Sequence, residues 1–258
     1  MGLLDGILSA NTDRARKALL VQTHPVYGKY KALWQTGLDA YDAAGGFLDG
    51  AYLWRFPRET EEDYTQRRAQ ARYHNYVDTL LDIYVRSVTT DVVRTTDDEG
   101  LLDWWANVDG RGAAMTEYVM ATLSQALAAG HAAALVDKAP EVPAGPSQAE
   151  DPNRPYLTTF SAVHVLDWRV DRQGLAAIKL QEALPMKGLE VVAESEATGF
   201  LLWDREQWAR FNDEGRPLGN YVPRYRPGAR RGRGAFPVTI AERAERWLRR
   251  AGLVERLA

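Results

Sequence analysis

The sequence contains no cysteine. Disulfide frameworks, thiolate nucleophiles and Cys-ligated metals are therefore excluded, and a reducing compartment is compatible with the chain. The first ten residues carry no basic stretch, and their apolar run is too short for a secretory signal or a membrane span. A soluble, intracellular protein with no membrane partner is expected. Gly2 follows Met1, but Gly6 stands where myristoylation requires Ser or Thr, so no lipid anchor is expected. Also missing are the Gly-rich lysine loop of phosphate-binding ATPases, the dinucleotide fingerprint and the Gly-x-Ser-x-Gly nucleophile elbow. His24, His74, His131 and His164 are scattered, none at helical spacing to another, which gives no zinc pattern. Asp103, Asp109 and Asp137 are the carboxylates a catalytic pair would draw on, but acidic residues at helix ends and strand exits ordinarily cap or face solvent. The expectation is a protein that is not an enzyme and needs no cofactor or metal.

What the chain does have is a globular composition. Of its 258 residues 45% are hydrophobic and 26% charged, enough for a packed core in one or two domains. Eight Trp and twelve Tyr combine an apolar body with a polar tip, which suits interfaces as well as cores. The formal charge of −3 hides a division along the chain: residues 222–258 hold ten Arg and three Glu with no Lys or Asp, a net +7 that leaves −10 on the first 221.

Thr60 followed by Glu61, Glu62 and Asp63 has the form of a helix start, with a hydroxyl for the orphan N–H groups and carboxylates at the positive end of the dipole. Tyr73, Tyr76, Val77, Leu80, Leu81, Tyr84 and Val88 then recur at offsets of three and four, which predicts one long helix reaching about Val88. Its stripe, with Tyr76, Leu80 and Tyr84, is expected to be core, and Arg67, Arg68, Arg72, Asp78 and Asp82 to face water. After the turn Asp109-Gly110-Arg111-Gly112, the spacing of Met115, Tyr118, Val119, Leu123, Ala126 and Leu127 predicts another helix, ended by Gly130. Residues 26–38 and 101–108 read as further helices.

Five prolines between Lys138 and Pro155 mark a linker. Beyond it residues 162–168, 175–181, 189–193 and 199–203 are β-prone and punctuated by turn residues, so an antiparallel meander is expected, with 132–136 as a strand able to join it. The predicted class is α+β: a mainly helical N-terminal half, a small antiparallel sheet and a basic C-terminal tail. In chain order the regions are 1–137 (helical), 138–155 (Pro-rich linker), 156–215 (β-rich) and 216–258 (basic tail with a short helix around Trp247 and Leu248).

In that tail Arg224, Arg226, Arg230, Arg231 and Arg233 are interleaved with Tyr221, Tyr225, Pro227 and Gly228. A segment that contacts nucleic acid has this make-up, with Arg meeting phosphate and Tyr stacking on bases. A solvated basic tail without a specific partner has it too.

Three passages, in the same order and spacing over residues 50–182, together resemble the N-terminal part of bacteriophage portal (head-to-tail connector) proteins. The first is Tyr52-Leu53-Trp54 with the acidic helix start, "Y-x-x-R" at Tyr64 to Arg67 and "A-x-Y-x-N" at Ala71 to Asn75. The second is Val108-Asp109-Gly110 with Gly112 and "A-L-x-x-G-H-x-x-x-L-V-D" from Ala126 to Asp137. The third is Arg154-Pro155-Tyr156 with Val165-Leu166-Asp167-Trp168-Arg169 and the strand after it. The resemblance implies a structural subunit of a homo-oligomeric ring at the capsid vertex, through which phage DNA is packaged and ejected without sequence preference. Its partners would be terminase and capsid proteins, and its location the virion after assembly in the host cytoplasm. Residues 50–137 would belong to the helical wing of such a protein. The stem and clip of the family have no counterpart here, so the chain is expected to be a naturally short relative or the product of an interrupted gene.

Overall fold

In a computed structural model of the protein, residues 3–138, 155–172, 174–184, 197–205, 208–218 and 238–240 are described. The fold is α+β. Among the described residues seven α-helices precede the antiparallel sheets. The chain divides into two compact units that cut across its order: a sheet unit of Met1–Tyr30 with Val163–Phe236, and a helical unit of Lys31–Ala162 with Pro237–Ala258.

The sheet unit begins with α1 (Leu3–Leu8) and α2 (Asp13–Leu20). Thr12 starts α2 by accepting the Ala15 N–H at 3.1 Å, with Asp13 at the positive end of the helix dipole. Strands β3 (Val165–Asp171), β4 (Gly174–Leu184), β5 (Ala197–Asp204) and β6 (Trp208–Asn212) form an antiparallel meander in that order. Ile178, Leu180 and Leu201 lie on one face and Phe200, Leu202 and Phe211 on the other, and all are buried, so both faces of the sheet centre are covered. Lys179 is buried among them, 1% exposed. Its ammonium donates to the Leu19 carbonyl at 3.2 Å and to the Gln22 carbonyl, so it satisfies acceptors at the C-terminal end of α2, where a cation is favoured. Burial lowers its pKa, against a raising contribution from Asp167, its cross-strand partner.

The helical unit takes in α3 (Pro25–Asp42) from Lys31 onward, α4 (Glu61–Gln70), α5 (Tyr76–Thr89), α6 (Glu99–Trp105), α7 (Met115–Ala129) and a second sheet. That sheet has β1 (Ala132–Lys138) at its centre, flanked by β2 (Pro155–Ser161) and β7 (Val238–Ile240), both antiparallel to it. Helix α7 packs on α5, β1 and β2. At its end Gly130 adopts φ 89°, a left-handed conformation that glycine reaches without strain. Gly37 on α3 lies so close to α7 that a Cβ there would overlap the Ala128 carbonyl oxygen.

Several expectations need correction. The long helix from Thr60 to Val88 is two helices, α4 and α5. Ala71 is extended at ψ 140°, the Tyr73 hydroxyl donates to the Ala40 carbonyl at 2.9 Å, and Asn75 both caps α5 and donates to the Tyr41 carbonyl at 2.7 Å. Side-chain bonds to the end of α3 thus replace the helical bonds that residues 71–75 would have made. Strand 132–136 does not join the meander, since β1 pairs with β2 and β7 in a sheet of its own. Residues 162–164 form a 3-10 turn before β3, and β2 begins at Pro155, the last residue of the expected linker. The expected strand at 189–193 and the tail helix around Trp247 and Leu248 lie outside the described residues.

Candidate functional site

The segment before α4 is folded back on that helix by a set of charge-assisted bonds. Arg67 meets the Glu59 carboxylate through two nitrogens, at 2.6 and 2.7 Å, and donates to the Trp54 carbonyl at 2.7 Å. The hydrogen bond from Arg67 holds Glu59 below the usual carboxylate range and raises the guanidinium in turn. The Tyr64 hydroxyl donates to the Leu53 carbonyl at 2.9 Å and Arg68 to the Asp49 carbonyl at 2.8 Å, while the Arg67 guanidinium lies 4.6 Å from the centre of the Phe56 ring. With the backbone fixed in this way, Leu48, Trp54 and Phe56 turn outward, and Trp54 is 78% exposed.

Next to it Asp39 is buried and accepts from the Tyr52 hydroxyl at 2.6 Å and Gln35 Nε2 at 2.8 Å. Burial and the neighbouring carboxylates of Asp39 and Asp78 raise the pKa of Asp42. Hydrogen bonds within the protein already engage Asp39, and among the described residues no group of three His, Cys, Asp or Glu is arranged to hold a metal ion.

The expected candidate residues are dispersed. Asp109 closes its turn by accepting the N–H groups of Arg111 at 2.8 Å and Ala113 at 3.0 Å. Partial burial opposes its ionisation, yet these backbone bonds prevail and lower its pKa. Asp137 accepts from the Tyr156 hydroxyl at 3.0 Å across the β1–β2 pair. Asp103 lies on α6. His24 stacks on Trp168 with centroids 4.2 Å apart, and His131 meets Trp34 edge to face at 4.7 Å. Arg224, Arg226, Arg230, Arg231 and Arg233 lie outside the described residues.

The aromatic stripe of α5 is not core, which overturns the expectation for it. Tyr76, Leu80 and Tyr84 are 72%, 55% and 61% exposed, and Ile83 and Val88 are exposed beside them. Helix α5 buries Val85 and Thr89, and the Thr89 hydroxyl is satisfied by the Val85 carbonyl at 2.7 Å. Both sides of this helix are apolar, and the side with the smaller, β-branched residues is the one turned inward. The neglected cue was Ile83, which extends the outward apolar stripe beyond the residues counted in it. No segment of the described residues is long and apolar enough as a helix to cross a membrane.

No protein-family model matches the sequence, and no curated protein is a significant match to it.

Proposed function

We propose that the protein is a structural, portal-like subunit of a phage head that works by assembling into a ring around a DNA path. One observation carries this reading. Residues through which the sequence resembles portal proteins, Tyr64, Arg67, Asn75 and Asp109, direct their polar groups to the protein's own backbone or to Glu59, while Leu48, Trp54, Phe56, Tyr76, Leu80, Ile83 and Tyr84 of the same unit are exposed. A fixed frame with uncovered apolar surface suits a part whose work is contact with other chains. In this reading the partners are further copies, terminase and capsid proteins, and DNA held without sequence preference at the capsid vertex. No catalytic residue, cofactor or metal is assigned. Mass photometry and negative-stain microscopy of the purified chain over rising concentration test it. Annular oligomers with an open centre are the expected result, and a chain that stays monomeric at high micromolar concentration overturns it.

The net +7 of residues 222–258 favours a second reading, a nucleic-acid-binding module acting through Arg224, Arg226, Arg230, Arg231 and Arg233. Its test is the salt dependence of duplex binding. The log–log slope should be about −0.9 per phosphate neutralised, and binding retained after removal of residues 222–258 would refute it.

A further inference from the structure

We propose that the outward face of α5 in one copy of the chain seats against the Leu48, Trp54 and Phe56 surface of the next copy, in a head-to-tail contact. The proposal rests on the ring reading above and names the surfaces that would make the ring.

Tyr76, Leu80, Ile83, Tyr84 and Val88 follow helical spacing along one side of α5, with Thr79 and Ser87 among them. Asp78 and Arg86 are exposed on the same helix, and Arg86 pairs with Asp82 at 2.6 Å beside this stripe. The exposed side of a helix is ordinarily polar along its length. The five large apolar side chains of this face are each more than half exposed, which makes a patch on the order of 600 Å², the upper end of what a monomer shows. Leu48 at 75%, Trp54 at 78% and Phe56 at 59% are a second set of exposed large apolar side chains, on one short stretch of the same unit. Its backbone is fixed by Arg67, Arg68 and Tyr64, so little ordering entropy opposes docking. One surface against the other buries on the order of 1,000 Å² from these side chains alone, close to what a specific interface requires.

One feature favours a second copy set head to tail over a two-fold pairing. Self-pairing of α5 would leave Leu48, Trp54 and Phe56 uncovered. Pairing the two different surfaces covers both. A contact between two different surfaces of the same chain propagates, and closes into a ring if its rotation allows.

The test uses two full-length variants, Leu80→Glu and Trp54→Glu, measured by light scattering after size exclusion and by thermal unfolding. Each alone should be monomeric, with self-association weakened at least about 30-fold, as expected for a central anchor. Each should keep the unfolding temperature of the dissociated wild type. Mixed in equal amounts they should form a one-to-one heterodimer and nothing larger, because Leu80→Glu keeps its 48–56 surface and Trp54→Glu keeps its α5 face. Wild-type rings that persist in either variant would overturn the proposal and leave the ring reading standing. Dimers of Trp54→Glu alone would show α5 pairing with itself and overturn it as well. Failure of the mixture to form a heterodimer, or a collapse of unfolding temperature in Leu80→Glu, would also contradict it. A wild type that is monomeric at every concentration would sink the ring reading along with it.

Discussion

The sheet unit closes its core around large side chains, with Leu20, Ile178, Leu180, Leu201, Leu202, Phe200 and Phe211 all buried. In the helical unit the buried apolar set leans on Ala126, Ala129, Ala132, Ala133 and Ala162, with Leu38, Val85, Val108, Leu135 and Phe160, while Leu48, Trp54, Tyr76, Leu80, Ile83 and Tyr84 are exposed. Apolar residues are plentiful in both units, and the difference is in where they point. One unit covers its large residues itself. The other buries many small residues beside a few large ones and leaves several large ones exposed, which is the arrangement of a surface completed by another chain.

That comparison can be broken most severely in the sheet. Phe211→Ala should lower stability by about 3 to 5 kcal/mol in chemical denaturation, because a fully buried ring leaves a cavity. Gly37→Ala comes next, at about 1 to 3 kcal/mol, since the added Cβ would push α3 away from α7. A neutral outcome there would mean that the helical unit is loosely packed even where its residues are small.

Two pH-dependent effects are smaller. Asp109→Ala should cost about 1 kcal/mol at neutral pH through its lost backbone bonds. The native pKa of Asp109 is lowered, so its contribution is present above the ordinary carboxylate value of 3.8 and is lost as pH falls through the lowered one. Unfolding of wild type and variant should therefore converge in acid. Lys179 has the opposite sense. Its folded pKa is lowered, so the unfolded chain holds the proton more tightly, and stability rises with pH in the window below the ordinary lysine value of 10.5. The advantage of wild type over Lys179→Met should grow across that window, and a flat difference would show that the ammonium is better solvated than its burial implies.

The smallest expected effect is Leu80→Ala, under about 0.5 kcal/mol in the dissociated chain, the level of a surface change. A cost near that of Phe211→Ala would erase the distinction between the two units.

Much of the fold was legible in local chemistry. Thr60 caps α4 by accepting the Asp63 N–H at 3.1 Å, Gly130 ends α7, and the β-prone runs at 175–181 and 199–203 lie within β4 and β5 of the antiparallel meander. What sequence reasoning missed depends on contacts distant in the chain. The break at residues 71–75 is made by bonds from Tyr73 and Asn75 to Ala40 and Tyr41, more than thirty residues away. The separate sheet arises because β1 finds β2 across the Pro-rich stretch, and periodicity does not encode that choice. The stripe of α5 was visible as a stripe, but spacing only says that residues share a face. Which of two apolar faces turns inward depends on α7, against which Val85 rather than Tyr84 is buried. The candidate surface was therefore read as core from the same residues that form it.

The absence of cysteine makes the most direct test of the central claim clean, because any thiol introduced is the only one present. The double variant Ala51→Cys with Ser87→Cys, at exposed positions that leave Trp54 and Leu80 in place, treated with a short bis-maleimide and run under denaturing conditions, should give a ladder of covalent multimers that lengthens with protein concentration. Each single-cysteine variant should give monomer alone. A double variant that yields only monomer, or a ladder that is equally strong with Ser87→Cys by itself, would contradict the assignment of these two surfaces to one head-to-tail contact.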